Sequence, residues 1–77
     1  MPPHTIYMEC VIPEKNRRAF YRLIATRDLF TYTLIRNWGR IGARGRLRVD
    51  RFDDEPNMTR SMGQILKKRL RHGYYIV

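Results

Sequence analysis

One tryptophan, three glycines and four arginines crowd into Arg36-Asn37-Trp38-Gly39-Arg40-Ile41-Gly42-Ala43-Arg44-Gly45-Arg46, with no acid among them. A flat aromatic can stack on a sugar or a base. Arginine offers a planar fork to phosphate. Glycines at 39, 42 and 45 permit positive φ and a close approach of backbone to a ligand. The chemistry this stretch suits is therefore the holding of a nucleotide or a phosphate backbone. A second reading stands beside it on these residues alone: a hairpin whose Trp38 plugs the core and whose arginines are merely solvated.

The rest of the chain holds little that points to catalysis. His4 and His72 are the two histidines, and neither has a neighbouring Ser–Asp or Cys partner in sequence. No Cys/His cluster has zinc spacing. The glycine spacing matches neither the dinucleotide fingerprint nor a phosphate-binding loop, which needs Gly-Lys-Ser or Gly-Lys-Thr. Asp53-Asp54-Glu55 reads as a helix cap rather than a metal site. The sequence thus points to a non-enzyme with no catalytic residues, cofactor or metal.

Composition agrees. With 77 residues and 43% hydrophobic content there is room for one core. Sixteen cations face seven acids, and all but Lys15, Lys67 and Lys68 are arginine, giving a net charge of +9. That bias favours nucleic acid as partner. Cys10 is a lone cysteine, so no internal disulfide forms. No signal peptide or membrane span is read, and a cytoplasmic, even nucleoid-associated, protein is expected.

The elements that must position the stretch follow from periodicity. Met1 to His4 reads as a disordered lead, with a single domain over residues 5–77. Thr5 to Ile12 alternates, with Ile6, Met8, Cys10 and Ile12 on one side. Pro13 to Asn16 reads as a turn. Arg17 to Thr26 competes between helix and strand. Strand is favoured, with Ala19, Tyr21, Leu23 and Ala25 on one face and Arg18, Phe20, Arg22 and Ile24 on the other. Thr31 to Trp38 is a third strand, placing Trp38 and Arg36 on one side. Leu47 to Phe52 is a fourth. A helix runs from about Glu55 to His72, its stripe made of Met58, Met62, Ile65, Leu66 and Leu70, with Gly73 at its cap. Tyr74 to Val77 can close as a short strand. The expected fold is α+β: an antiparallel sheet of four to five strands with one C-terminal helix packed on one face.

Together, Asn16…Phe20-Tyr21-Arg22-Leu23, Tyr32…Arg36-Asn37-Trp38-Gly39-Arg40-Ile41-Gly42, Gly45-Arg46 with a strand ending in Phe52, and Lys67-Lys68-Arg69…Arg71-His72-Gly73-Tyr74 resemble the WGR domain along nearly the whole chain. That module is named for its Trp-Gly-Arg. It occurs in DNA-damage-dependent poly(ADP-ribose) polymerases and as a short module in bacterial proteins, to which this form looks closer. The resemblance implies the same sheet-and-helix fold and DNA binding, sequence-independent and directed at ends or nicks, with an accessory role in DNA repair. It makes Trp38 the stacking residue, Arg40 its polar partner and Asn16 a neighbour of the DNA backbone. These 77 residues hold no ADP-ribosyltransferase or helical domain, so the signalling role of the motif arginine does not carry over.

The expected interface is Trp38, Gly39 and Arg40 with Arg36, Arg44, Arg46, Arg48, Asn16 and Arg18, and more remotely Lys67, Lys68 and Arg71. The alternatives are RNA or single strands on the same surface, with Tyr7 and Phe20 as a platform if they lie on the solvent face, and a separately encoded protein partner. Membrane binding is not expected.

Overall fold

A computed structural model describes residues 4–77 of the chain. Five strands form one sheet: β1 (His4–Ile12), β2 (Arg17–Arg27), β3 (Tyr32–Arg40), β4 (Arg46–Phe52) and β5 (Tyr75–Ile76). One helix, α1 (Glu55–Arg71), precedes the last strand. The order across the sheet is β4-β3-β2-β1-β5, and every pairing is antiparallel. The expected lead over residues 1–4 lies outside the described residues except for His4, which opens β1 opposite Ala25.

Alternation decides which side of the sheet is covered. Met8 and Cys10 of β1, Tyr21, Leu23 and Ala25 of β2, and Leu34 of β3 all point to one face and are buried. Onto them α1 lays Met58, Met62, Ile65 and Leu66. This is a helix stripe against a pleated surface, with burial contributing about 25 cal/mol per Å² of apolar area removed from water. Leu70, expected in that stripe, is instead exposed, because the stripe has rotated off the sheet by the last turn. Cys10 is fully buried under the Gly73 corner, as an inert thiol would be.

The helix ends follow their side chains. Asp54 caps the start, its carboxylate accepting from the Asn57 amide at 2.8 Å. At the other end Gly73 turns left-handed (φ 95°), and the Tyr74 amide reaches back to the Arg69 carbonyl at 3.1 Å. That corner drops Tyr74 into the core and leaves Tyr75 and Ile76 to pair with Glu9 and Met8.

One connection differs from expectation. β3 does not stop at Trp38 but carries Gly39 and Arg40 as strand residues paired with Phe20 and Ala19. Of the three glycines of the stretch, Gly42 and Gly45 take positive φ (92° and 78°), and Gly39 does not. Gly39 is required for a different reason: a Cβ there would stand 2.8 Å from the Gly45 Cα, where the returning chain crosses it. At the opposite end, β2 and β3 are joined by a tight turn. Asp28 Oδ1 accepts from the Phe30 and Thr31 amides at 2.9 and 2.8 Å. The turn leaves Leu29 and Phe30 almost fully exposed.

Acid should loosen this fold in a definite direction. The Phe30 and Thr31 amides hold the Asp28 carboxyl below its ordinary range. At Asp50, burial pushes the carboxyl up, but the Arg36 and Arg48 guanidiniums outweigh it and the net shift is downward. A carboxyl with a depressed folded-state value contributes stability above its unfolded value, about 3.9, and loses it as pH falls through the folded value. Melting temperature measured against pH should therefore be flat from neutrality to about pH 5 and fall below about pH 4.

Candidate nucleic-acid interface

On β3 the residues Arg36, Trp38 and Arg40 point to the helix side, and Asn37 and Gly39 to the open side. Trp38 is half-buried. Its inner face lies on Tyr21, ring centroids 5.8 Å apart and planes 16° from parallel. Tyr21 meets Tyr74 edge-on at 6.1 Å. The tryptophan is thus the outermost ring of an aromatic row anchored in the core, so it is both a packing residue and an accessible one. Two arginines brace the row. Arg69 from α1 lies 5.1 Å over Tyr21 and 5.8 Å from Tyr74, and Arg17 lies 5.4 Å over Tyr74.

The expected cations separate into two groups. Arg36 is not free: its guanidinium donates to Asp50 at 2.9 Å, and Arg48 donates to the same carboxylate at 3.2 Å. Those are the ion pairs among the described residues, so one carboxylate offsets part of the charge of two arginines. Arg40, exposed, reaches only the Asn16 carbonyl and Oδ1 at 3.4 and 3.5 Å, which ties the two motif-implied polar residues together. Asn16 itself is held left-handed (φ 51°) after a single 3₁₀ turn, Pro13–Lys15. Arg46, opposite Trp38 on β4, is exposed beside it.

Arg44 and Arg18 belong to the other side. Arg18 shares the open face with Phe20 and Arg22, and its carbonyl accepts from the Ile41 amide at 2.9 Å. Arg44 sits in the Gly42–Gly45 loop. Lys67, Lys68 and Arg71 are exposed along the helix's last turns, while Arg69 between them turns inward. Of the sequence-expected residues, Trp38, Arg40, Arg46, Arg36 and Arg48 share the helix side of the sheet, with Asn16 joined to Arg40 at its edge, and Gly39, Arg18 and Arg44 lie on the other side.

Sequence reasoning missed Tyr21, Tyr74, Arg17 and Arg69 as members of this site. Tyr21 was readable as a cross-strand partner of the tryptophan once β2 and β3 were paired. Arg69 carried no signal, because nothing in the helix pattern separates it from its charged neighbours. Among the described residues no group of His, Cys, Asp and Glu can hold a metal, and no helix is long and apolar enough to cross a membrane.

A scan against protein-family models matches the WGR domain over residues 4–76. The chain belongs to the WGR-domain family. A relative in Sinorhizobium fredii, described as uncharacterized protein y4dW, is 32% identical over 73 residues. That match covers 94% of this chain and 36% of the relative, so the chain spans about a third of the relative's length. No solved structure matches. The WGR family is associated with nucleic-acid binding in poly(ADP-ribose) polymerase-like proteins, where it serves as a binding module.

Within this WGR domain, Asp50 is the carboxylate that pairs with two of the expected phosphate ligands, Arg36 and Arg48. Replacing it by asparagine would release Arg36 and Arg48 and add one positive charge. DNA affinity in Asp50→Asn should rise severalfold at low salt, while stability falls by no more than about 1 kcal/mol. Polarisation titration and thermal melting on the same sample check both halves.

Proposed function

We propose that this WGR domain binds nucleic acid, DNA first, as a non-catalytic reader of structure rather than sequence, acting inside the cell as an accessory to DNA repair. The observation that carries the reading is Trp38: half-buried, backed by a packed tyrosine, and flanked by Arg40 and Arg46, which have no carboxylate partner among the described residues. Such a ring can cap a terminal sugar or base without paying to order itself, since Tyr21 already holds it. The helix buries its apolar stripe on the sheet and has no groove-reading face, so ends or nicks are the targets, with the arginines on the flanking phosphates.

The test compares three labelled probes: a blunt duplex, the same duplex with both ends closed by hairpin loops, and an RNA of equal length. Blunt duplex should bind best. Trp38→Ala should weaken it by about 1–3 kcal/mol, roughly five- to 150-fold, and affect the closed duplex much less. Equal loss on every probe would make Trp38 a packing residue only. A separate protein partner is favoured by the exposed Leu29 and Phe30 at the far end of the sheet. Salt-insensitive protein binding with none to DNA would select that reading instead.

A further inference from the structure

The helix-free face of the sheet is not a plain solvated surface. Behind Trp38, a concave site with a volume of about 530 Å³ opens between the sheet and the Gly42–Gly45 loop. Its walls include Tyr7, Phe20, Arg22, Asn37, Arg44 and Leu47. Tyr7 and Phe20 lie side by side, centroids 6.2 Å apart and planes 19° from parallel. The Arg22 guanidinium lies over both, 5.1 Å from Tyr7 and 5.7 Å from Phe20.

That arginine is held on a second side. Its Nη1 donates to Asn37 Oδ1 at 3.1 Å, and Asn37 Nδ2 donates to the Arg46 and Arg44 carbonyls at 2.9 and 3.2 Å. One asparagine thus fixes both the guanidinium and the loop that walls the site. No carboxylate pairs with Arg22, Arg18 or Arg44 among the described residues. Glu9, the acid on this face, is engaged by the Tyr7 hydroxyl at 2.9 Å. Burial and this contact both raise the Tyr7 pKa. Leu47 and Val49 continue the site along β4 as exposed apolar side chains, 65% and 39% accessible.

We infer that this face is a second nucleic-acid site, taking an unpaired nucleotide of a single strand: its base stacks on Arg22, Tyr7 and Leu47, with the buried Phe20 ring backing the guanidinium, and its phosphates run toward Arg44 and Arg18. Three observations select that ligand. A guanidinium plane fixed over aromatic rings is a stacking surface that tolerates any base. Arg18 and Arg44, with no carboxylate partner among the described residues, stand at the loop end of this face, and its acid, Glu9, is engaged by Tyr7, so phosphates leaving the site toward the loop meet cations. Tyr7, Phe20 and Arg22 line a concavity together with the loop, and a base inside a duplex cannot present its face there. The inference rests on the nucleic-acid reading of the domain but uses none of the Trp38 surface, since Asn37 and Trp38 point to opposite sides of β3.

The test titrates a labelled short oligothymidylate and the blunt duplex against Arg22→Gln, Leu47→Glu and Trp38→Ala, with folding checked by circular dichroism. Leu47 is exposed, so Leu47→Glu keeps the fold and adds a carboxylate at the rim even if Arg22→Gln perturbs packing. Both open-face variants should weaken oligothymidylate roughly tenfold or more and shift the duplex by less than about threefold. No loss on oligothymidylate, or equal loss on both probes, overturns this site. If only Trp38→Ala weakens the duplex, the proposed function survives without it. If only the open-face variants act, on the single strand, this site survives and the end-binding reading falls. Failure of every probe to bind overturns both.

Discussion

Raising the salt from about 50 to about 200 mM is expected to weaken DNA binding on the order of a thousandfold, the loss that about six neutralised phosphates produce through counterion release. The domain has the charge for it: sixteen cations, of which only Arg36 and Arg48 have a carboxylate partner among the described residues. The plot of log affinity against log salt should be linear, with a slope near −5. Single variants divide that slope. Arg46→Gln, removing an unpaired charge beside Trp38, should reduce it by about one. Arg36→Gln should reduce it by less, because Asp50 already offsets that charge. Titrations at four or five salt concentrations measure all three slopes, and a flat response would sink DNA binding as the function.

Replacing Gly45 by alanine is expected to cost about 3 kcal/mol or more and to lower the melting temperature by about 12 °C or more. Two effects add. Gly45 sits at φ 78°, where a Cβ is strained, and that Cβ would overlap the Trp38 carbonyl oxygen and stand 3.0 Å from the Phe20 ring. The overlapped atoms are backbone and a buried aromatic, so neither can move aside cheaply. For a domain of this size, total stability is only about 4–12 kcal/mol. Gly42→Ala is the control: it takes the φ penalty alone, since nothing lies within 4 Å of its Cβ, and should cost about 1–2 kcal/mol. Melts of the two variants separate conformational strain from collision. If Gly45→Ala melts like Gly42→Ala, the loop does not pack as tightly on β3 as its geometry requires.

The sheet was legible because period-two alternation in β1 to β4 carries both the strand and its buried face. The helix was legible from its cap, its stripe and Gly73. What escaped depended on register. Arg36 and Arg48 face each other across β3 and β4, with Asp50 opposite Leu34. Those partners are set only once the loop between them has its length and shape, so the neutralisation of two expected phosphate ligands could not be read from spacing. The end of β3 escaped because a glycine in a strand looks, in sequence, like a glycine in a turn. Gly39 serves close approach rather than positive φ. Tyr7 and Phe20 were legible as a pair on the open face, but nothing in the sequence shows Arg22 over both rings or the Gly42–Gly45 loop walling them. Trp38, divided at first between core and surface, is both.

The strand order also bears on how the chain assembles. β1, β2, β3 and β4 pair with their neighbours in sequence through short connections, so a growing chain can close these hairpins one after another at little loop-closure cost. β5 is the exception: it pairs with β1 across nearly the whole length of the polypeptide. During synthesis the sheet can thus form with its apolar side bare, and Tyr21, the ring behind Trp38, lacks the cover of Arg69 and Tyr74 until the helix and the corner after it emerge. The aromatic row that presents Trp38 is completed by the same final segment that ties the two ends of the domain together.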